Sequence, residues 1–95
     1  INIKIDIMQT YRTADTQIAS YLIASGFENY SLEREGNKIF FIFEDNDKKT
    51  PFNIFEKEVS EYWSNNTTIE PKKLFNAYKE IKTRIGELLN KNKYG

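Results

Sequence analysis

Lys72, Lys79 and Lys82 have no acid three or four residues away on either side. On a helix, those are the only spacings at which side chains meet, so the three ammonium groups would share one flank with nothing to neutralise them. That flank suits a phosphate backbone or an acidic partner. The other basic residues of this segment differ. Glu80 precedes Arg84 by four and Glu87 precedes Lys91 by four, in the orientation that stabilises a helix. Lys73, Arg84 and Lys91 therefore mark a second, largely self-neutralised flank.

Most other chemistry is excluded by residue type. The chain has no Cys and no His, which removes thiolate nucleophiles, disulfides, the usual zinc ligands and the commonest general base. Glu44-Asp45-Asn46-Asp47 is an acidic run, but it lacks the glycine and the distant bidentate Glu of a calcium loop and reads as a solvated turn. The glycines at 26, 36, 86 and 95 are too scattered to cradle a phosphate. The remaining carboxylates fall on polar strand positions or exposed helix faces and converge on no pocket. The expectation is a protein that is not an enzyme and uses no metal and no cofactor. Asn29-Tyr30-Ser31 and Asn65-Asn66-Thr67 fit the glycosylation pattern, which carries no meaning in a cytoplasmic protein.

The elements that position these residues follow from periodicity. Ile1, Ile3, Ile5 and Ile7 alternate with polar residues, giving a half-buried N-terminal strand or an ordered arm over 1–10. That alternation offers no apolar run for a signal peptide, and nothing approaches a membrane span. Thr13 reads as the N-cap of a first helix, with Asp15 in its first turn, an apolar stripe of Ile18, Ala19, Leu22 and Ile23, and Gly26 as the stop. Glu28–Glu33 and Lys38–Phe43 read as a hairpin turning at Gly36-Asn37. The second of these strands is apolar on both faces and so should be central and covered on both sides. Its aromatics faintly resemble a base-stacking strand, but the glycines of that motif are missing and core burial is the stronger reading.

Thr50 and Pro51 begin a second helix carrying Phe52, Phe55, Val59, Tyr62 and Trp63. Pro71 opens a third, with Leu74, Tyr78, Ile81, Ile85 and Leu88 as its inner stripe and Phe75 and Leu89 at one edge. The helix should end near Asn90, leaving 91–95 as a frayed tail. The result is one α+β domain over 1–95: a small antiparallel sheet, with a central hairpin and a third strand supplied by the N-terminus, packed with three helices. Seven Phe, six Tyr and one Trp are mostly expected in its core.

The formal net charge of zero conceals an asymmetry. Residues 28–61 hold nine acids against five bases, whereas residues 71–95 hold seven bases against two acids. A neutral chain with a basic end points weakly to a polyanionic partner.

Tyr11-Arg12-Thr13 with Asp15, then Ala19-x-Tyr21-Leu22 and Gly26-Phe27, resembles the opening of a family of small uncharacterised domains from phages, prophages and Gram-positive bacteria. Phe41-x-Phe43 with its acidic loop, and Tyr62-Trp63 followed by Pro71 and Phe75, fit the rest of that pattern. The likeness runs from Tyr11 to Ile85. Ile1–Thr10 lies outside it, and Glu70 stands where the family pattern has an Asp cap before Pro71. The resemblance implies a mobile-element protein inside a bacterium and brings no catalytic residues. Arg12 is read as pairing with Asp15 to lock the start of the first helix.

Two functions follow as expectations. The first is a non-catalytic, cytoplasmic binding module that engages nucleic acid or an acidic partner through Lys72, Lys79 and Lys82. The second is a protein-interaction module, an inhibitor or adaptor of a host protein or a homodimer, using the apolar aromatic sheet face. Neither involves a membrane.

Overall fold

The structure, a computed structural model, describes residues 9–45 and 54–94. The elements run β1 (Gln9–Thr13), α1 (Thr16–Ala24), β2 (Tyr30–Glu35), β3 (Lys38–Asp45), α2 (Ile54–Trp63) and α3 (Pro71–Tyr94). The three strands form one antiparallel sheet in the order β1-β3-β2, and the class is α+β as expected. The alternating segment Ile1–Ile7 lies outside the described residues. The third strand seen here is Gln9–Thr13, which apolar alternation does not reveal because only Tyr11 in it is apolar.

The hairpin closes over two residues, with Glu35 opposite Lys38. Gly36 has a φ of 62° and is the turn's only positive-φ residue, the pattern of a turn that needs glycine at its first central position. This tight closure carries β2 to Glu35, two residues beyond its expected end.

Register assigns the two faces of the sheet. Tyr11 and Tyr30 both lie opposite Phe43, while Thr13 and Leu32 both lie opposite Phe41. This inner face meets Ile18, Ala19 and Leu22 of α1, Phe55 of α2 and Ile81 of α3 in one buried cluster. The opposite face carries Phe40 and Ile42, both half-buried and outside that cluster. Instead of a second helical layer, Arg12 of β1 spreads its guanidinium 3.6 Å from the centroid of the Phe40 ring and pairs with Glu35. The two-faced strand is therefore central, as expected, but among the described residues helices cover one face only. A cation over a ring and long flanking side chains shield the other.

The same contact corrects the reading of Arg12. It does not pair with Asp15, because β1 points its side chain to the outer face while Asp15 lies beyond the strand end. Asp15 itself is the N-cap of α1, its Oδ1 accepting from the backbone N–H of Gln17 at 2.8 Å and of Ile18 at 3.3 Å. Thr13, the expected cap, ends β1, and its Oγ1 accepts from the N–H of Asp15 at 3.0 Å. Removing a cap of this kind costs ~1 kcal/mol. Asp15→Ala is therefore expected to lower the melting temperature by about 4–8 °C, read by thermal denaturation. Thr13→Ala should do less.

At the far end of α1, Gly26 has a φ of 108° while the N–H of Phe27 reaches back to the Leu22 carbonyl at 3.0 Å, the expected glycine stop. Helix α2 is anchored to the sheet by Gln9, a buried side chain whose Oε1 accepts from the N–H of Ile54 at 2.7 Å. The expected cap at Thr50-Pro51 lies outside the described residues. Among the described residues no helix is long and apolar enough to cross a membrane.

Candidate nucleic-acid interface

Helix α3 packs along α1 and touches β2, and it runs on to Tyr94 rather than ending near Asn90. Its inner line is Ala77 and Ile81, both buried, continued by half-buried Ile85 and Leu88. The expected stripe is displaced around the helix. Leu74 and Tyr78 are exposed, as are Phe75 and Leu89. Ala77 is the signal that marks the true centre, since a small residue at the closest approach of two helices leaves larger neighbours on the rim. The partners are also too short. The nine residues of α1 cannot cover a helix of twenty-four.

The flank carrying Glu80, Arg84 and Glu87 turns toward β2. Arg84 approaches Glu80 at 4.0 Å and holds its guanidinium 5.1 Å from the centroid of the Tyr30 ring. Beneath it the Tyr30 hydroxyl is buried beside Glu80 and Arg84, with no hydrogen bond of good geometry to either. Burial first, and then the negative charge of Glu80, pushes Tyr30 up to about 12. Because Glu80 and Arg84 stand beside this hydroxyl, Tyr30→Phe should change stability at neutral pH by no more than about 1 kcal/mol in either direction. The linkage has a definite sign. Between the unfolded value of 10.0 and the folded value of about 12, the unfolded chain has lost this proton and the folded chain keeps it, so stability falls as pH rises through that window. Denaturation curves at a series of alkaline pH values should show a shallower fall for Tyr30→Phe than for the parent.

The opposite flank faces solvent and brings together Lys72, Phe75, Tyr78, Lys79, Lys82 and Leu89. Phe75 is 57% exposed and Tyr78 41%. Each ring has a lysine four residues on that folds back over it. Lys79 Nζ lies 4.9 Å from the Phe75 centroid, and Lys82 Nζ lies 5.4 Å from the Tyr78 centroid. Such contacts are worth ~0.5–1 kcal/mol when exposed. Lys72 is exposed one turn before Phe75 and touches neither ring. Among the described residues none of the three lysines forms a salt bridge. Gly86 lies on the same flank beyond Lys82, where an added Cβ would meet nothing within 4 Å. The three lysines selected from the sequence are therefore joined by two exposed rings, Tyr78, which its spacing had placed in the inner stripe, and Phe75, expected at the edge of that stripe.

Elsewhere the fold offers clefts without a comparable arrangement. One of about 560 Å³ lies between α1, α2, the 64–70 segment and the start of α3 and contains Glu58, Glu61 and Lys73. In it, Tyr21 Oη donates to Glu58 Oε2 at 3.1 Å and the Tyr21 ring lies 4.9 Å from Tyr62, which braces α1 on α2. Burial, ahead of the hydrogen bonding there, raises the Tyr21 hydroxyl above its ordinary value. Of the acidic run, Glu44 and Asp45 belong to β3, while Asn46 and Asp47 lie outside the described residues. Among the described residues no group of three or more acidic side chains is placed to hold a metal ion.

No curated protein and no solved structure matches this chain. A family model does, over residues 8–87, and this span contains all three strands, the first two helices and the lysine–aromatic flank as far as Gly86. The chain thus belongs to the family described as a domain of unknown function (DUF5659).

Proposed function

We propose that this domain is a non-catalytic nucleic-acid-binding module whose contact surface is the solvent flank of α3. The observation that carries this reading is the division of one helix into two electrostatic halves. The flank with Glu80, Arg84 and Glu87 is internally compensated and turned to the sheet. The flank with Lys72, Lys79 and Lys82 has no salt bridge among the described residues and presents two exposed rings. Uncompensated lysines release counterions from a phosphate backbone, and this release supplies most sequence-independent affinity.

The sheet gives weaker support to a protein-interaction module. Its outer apolar residues, Phe40 and Ile42, are half-buried, and Arg12 already occupies the Phe40 ring. The absence of His and Cys supports the non-catalytic part of the proposal. The setting we propose, a phage or other mobile element acting in a bacterial cytoplasm, rests on the motif resemblance alone.

The test is fluorescence anisotropy of labelled single- and double-stranded oligonucleotides at about 50 and 200 mM salt. Three phosphate contacts predict a loss of affinity between those conditions of about twentyfold on a single strand and about fortyfold on a duplex. Absence of binding at the lower salt, or binding indifferent to salt, would overturn the proposal.

A further inference from the structure

We infer that the nucleic acid this flank takes is single-stranded, with bases stacking on Phe75 and Tyr78 while Lys72, Lys79 and Lys82 follow the phosphates. This inference rests on the nucleic-acid reading of α3 and specifies its ligand.

The first argument is the kind of surface exposed. Phe75 and Tyr78 are three residues apart, which sets their Cβ atoms ~5–6 Å from one another on the helix surface. Both rings are substantially open, and neither contributes to the buried core cluster. A duplex keeps its bases stacked on each other and offers their edges, whereas an unpaired strand offers π-faces that stack on aromatic side chains whatever the base.

The second argument is what the flank lacks. Base edges are read by Arg, Asn and Gln, whose donors fit them bidentately. From Lys72 round to Tyr78 and Leu89 this flank holds Lys, Phe, Tyr, Gly and Leu, and of those three types only Asn76, four residues after Lys72, stands at its edge. Its chemistry is point charge plus ring face, the combination that binds a strand without reading its sequence.

The third argument is the pairing of each lysine with a ring. Lys79 over Phe75 and Lys82 over Tyr78 hold the ammonium groups beside the stacking surfaces. A base settling on each ring would put its own phosphate within reach of the displaced lysine. Gly86, where no side chain stands and an added Cβ would meet nothing, leaves bare helix for the strand to pass beyond Lys82. From Lys72 to Leu89 the flank is about 25 Å long at 1.5 Å per residue. That length suits a footprint of on the order of four nucleotides, the short end of single-strand sites.

The experiment measures affinity for an unstructured oligonucleotide of mixed sequence and for a duplex of equal phosphate count. It compares the parent with Phe75→Ala, Phe75→Leu, Phe75→Trp and Tyr78→Ala, after thermal denaturation has confirmed that each variant folds. The expected result is tighter binding of the single strand, about a tenfold loss in each Ala variant, a similar loss in Phe75→Leu, and retention in Phe75→Trp. The duplex should respond little to any of them. Equal binding of both forms with no effect of the ring variants would overturn the single-strand inference and leave the nucleic-acid reading standing. Failure of any oligonucleotide to bind would overturn both. In that case a lower mass for Phe75→Ala than for the parent in sedimentation would reassign the rings to contact between copies of the chain.

Discussion

Phe55→Ala is expected to cost ~3–5 kcal/mol of stability, the range for deleting a large side chain from a closed core. Phe55 is fully buried and is the point where the elements meet. Its ring centroid lies 4.9 Å from Phe27, 6.1 Å from Phe43 and 6.3 Å from Tyr11. It is also the buried residue of α2, a short helix whose other apolar contacts with the core, from Ile54, Val59 and Tyr62, are only partial. A domain of this size has a total stability of only ~5–15 kcal/mol, so the variant should be largely unfolded or melt far below the parent. Urea denaturation followed by far-ultraviolet circular dichroism measures the difference. Phe75→Ala is the matched comparison, the same substitution on an exposed ring, and should cost no more than about 1 kcal/mol, the worth of its contact with Lys79. A loss below about 1 kcal/mol for Phe55→Ala would mean that α2 is not held by this ring cluster.

The Lys72→Gln, Lys79→Gln and Lys82→Gln triple variant should bind nucleic acid with a salt dependence about two log units per log unit shallower than the parent, at ~0.7 per lost phosphate contact on a single strand. Nearly all of the twentyfold difference between 50 and 200 mM salt should vanish with it. Stability should fall by no more than about 1–2 kcal/mol, the worth of the two exposed cation–ring contacts of Lys79 and Lys82, because all three side chains are exposed and none is tied into an ion pair among the described residues. Lys57→Gln, an exposed base on α2, is the control for net charge and should leave the slope as it is. An unchanged slope in the triple variant would locate binding elsewhere on the molecule. Lysine and ring variants also report separately. Lysines set how affinity responds to salt, and rings set the preference for an unpaired strand.

Several features were legible in the residues because they depend on local chemistry. Gly26 and Gly36 take positive φ where the sequence placed a helix stop and a turn. The apolar stripe of α1 buries as its spacing indicates, and the all-apolar run of β3 occupies the middle of the sheet. The absence of His and Cys and the charge contrast between the flanks of α3 are facts of composition and spacing, fixed before folding. The lysine trio came from that contrast alone.

What spacing could not give was decided by partners distant in sequence. Arg12 turned from a nearby Asp15 to Glu35 and Phe40, because strand pairing, not chain proximity, sets its neighbours. β1 is nearly all polar and becomes a strand by hydrogen bonding to β3. Helical periodicity marks a broad apolar face on α3 and leaves open how far around it burial extends. The approach of α1 at Ala77 and Ile81, and the short reach of its nine residues, left Phe75 and Tyr78 in solvent beside Lys79 and Lys82. A hydrophobic pattern records which side chains can be buried. Only the length and position of the packing partner determine which ones are, and here that difference separates a core residue from a candidate binding residue.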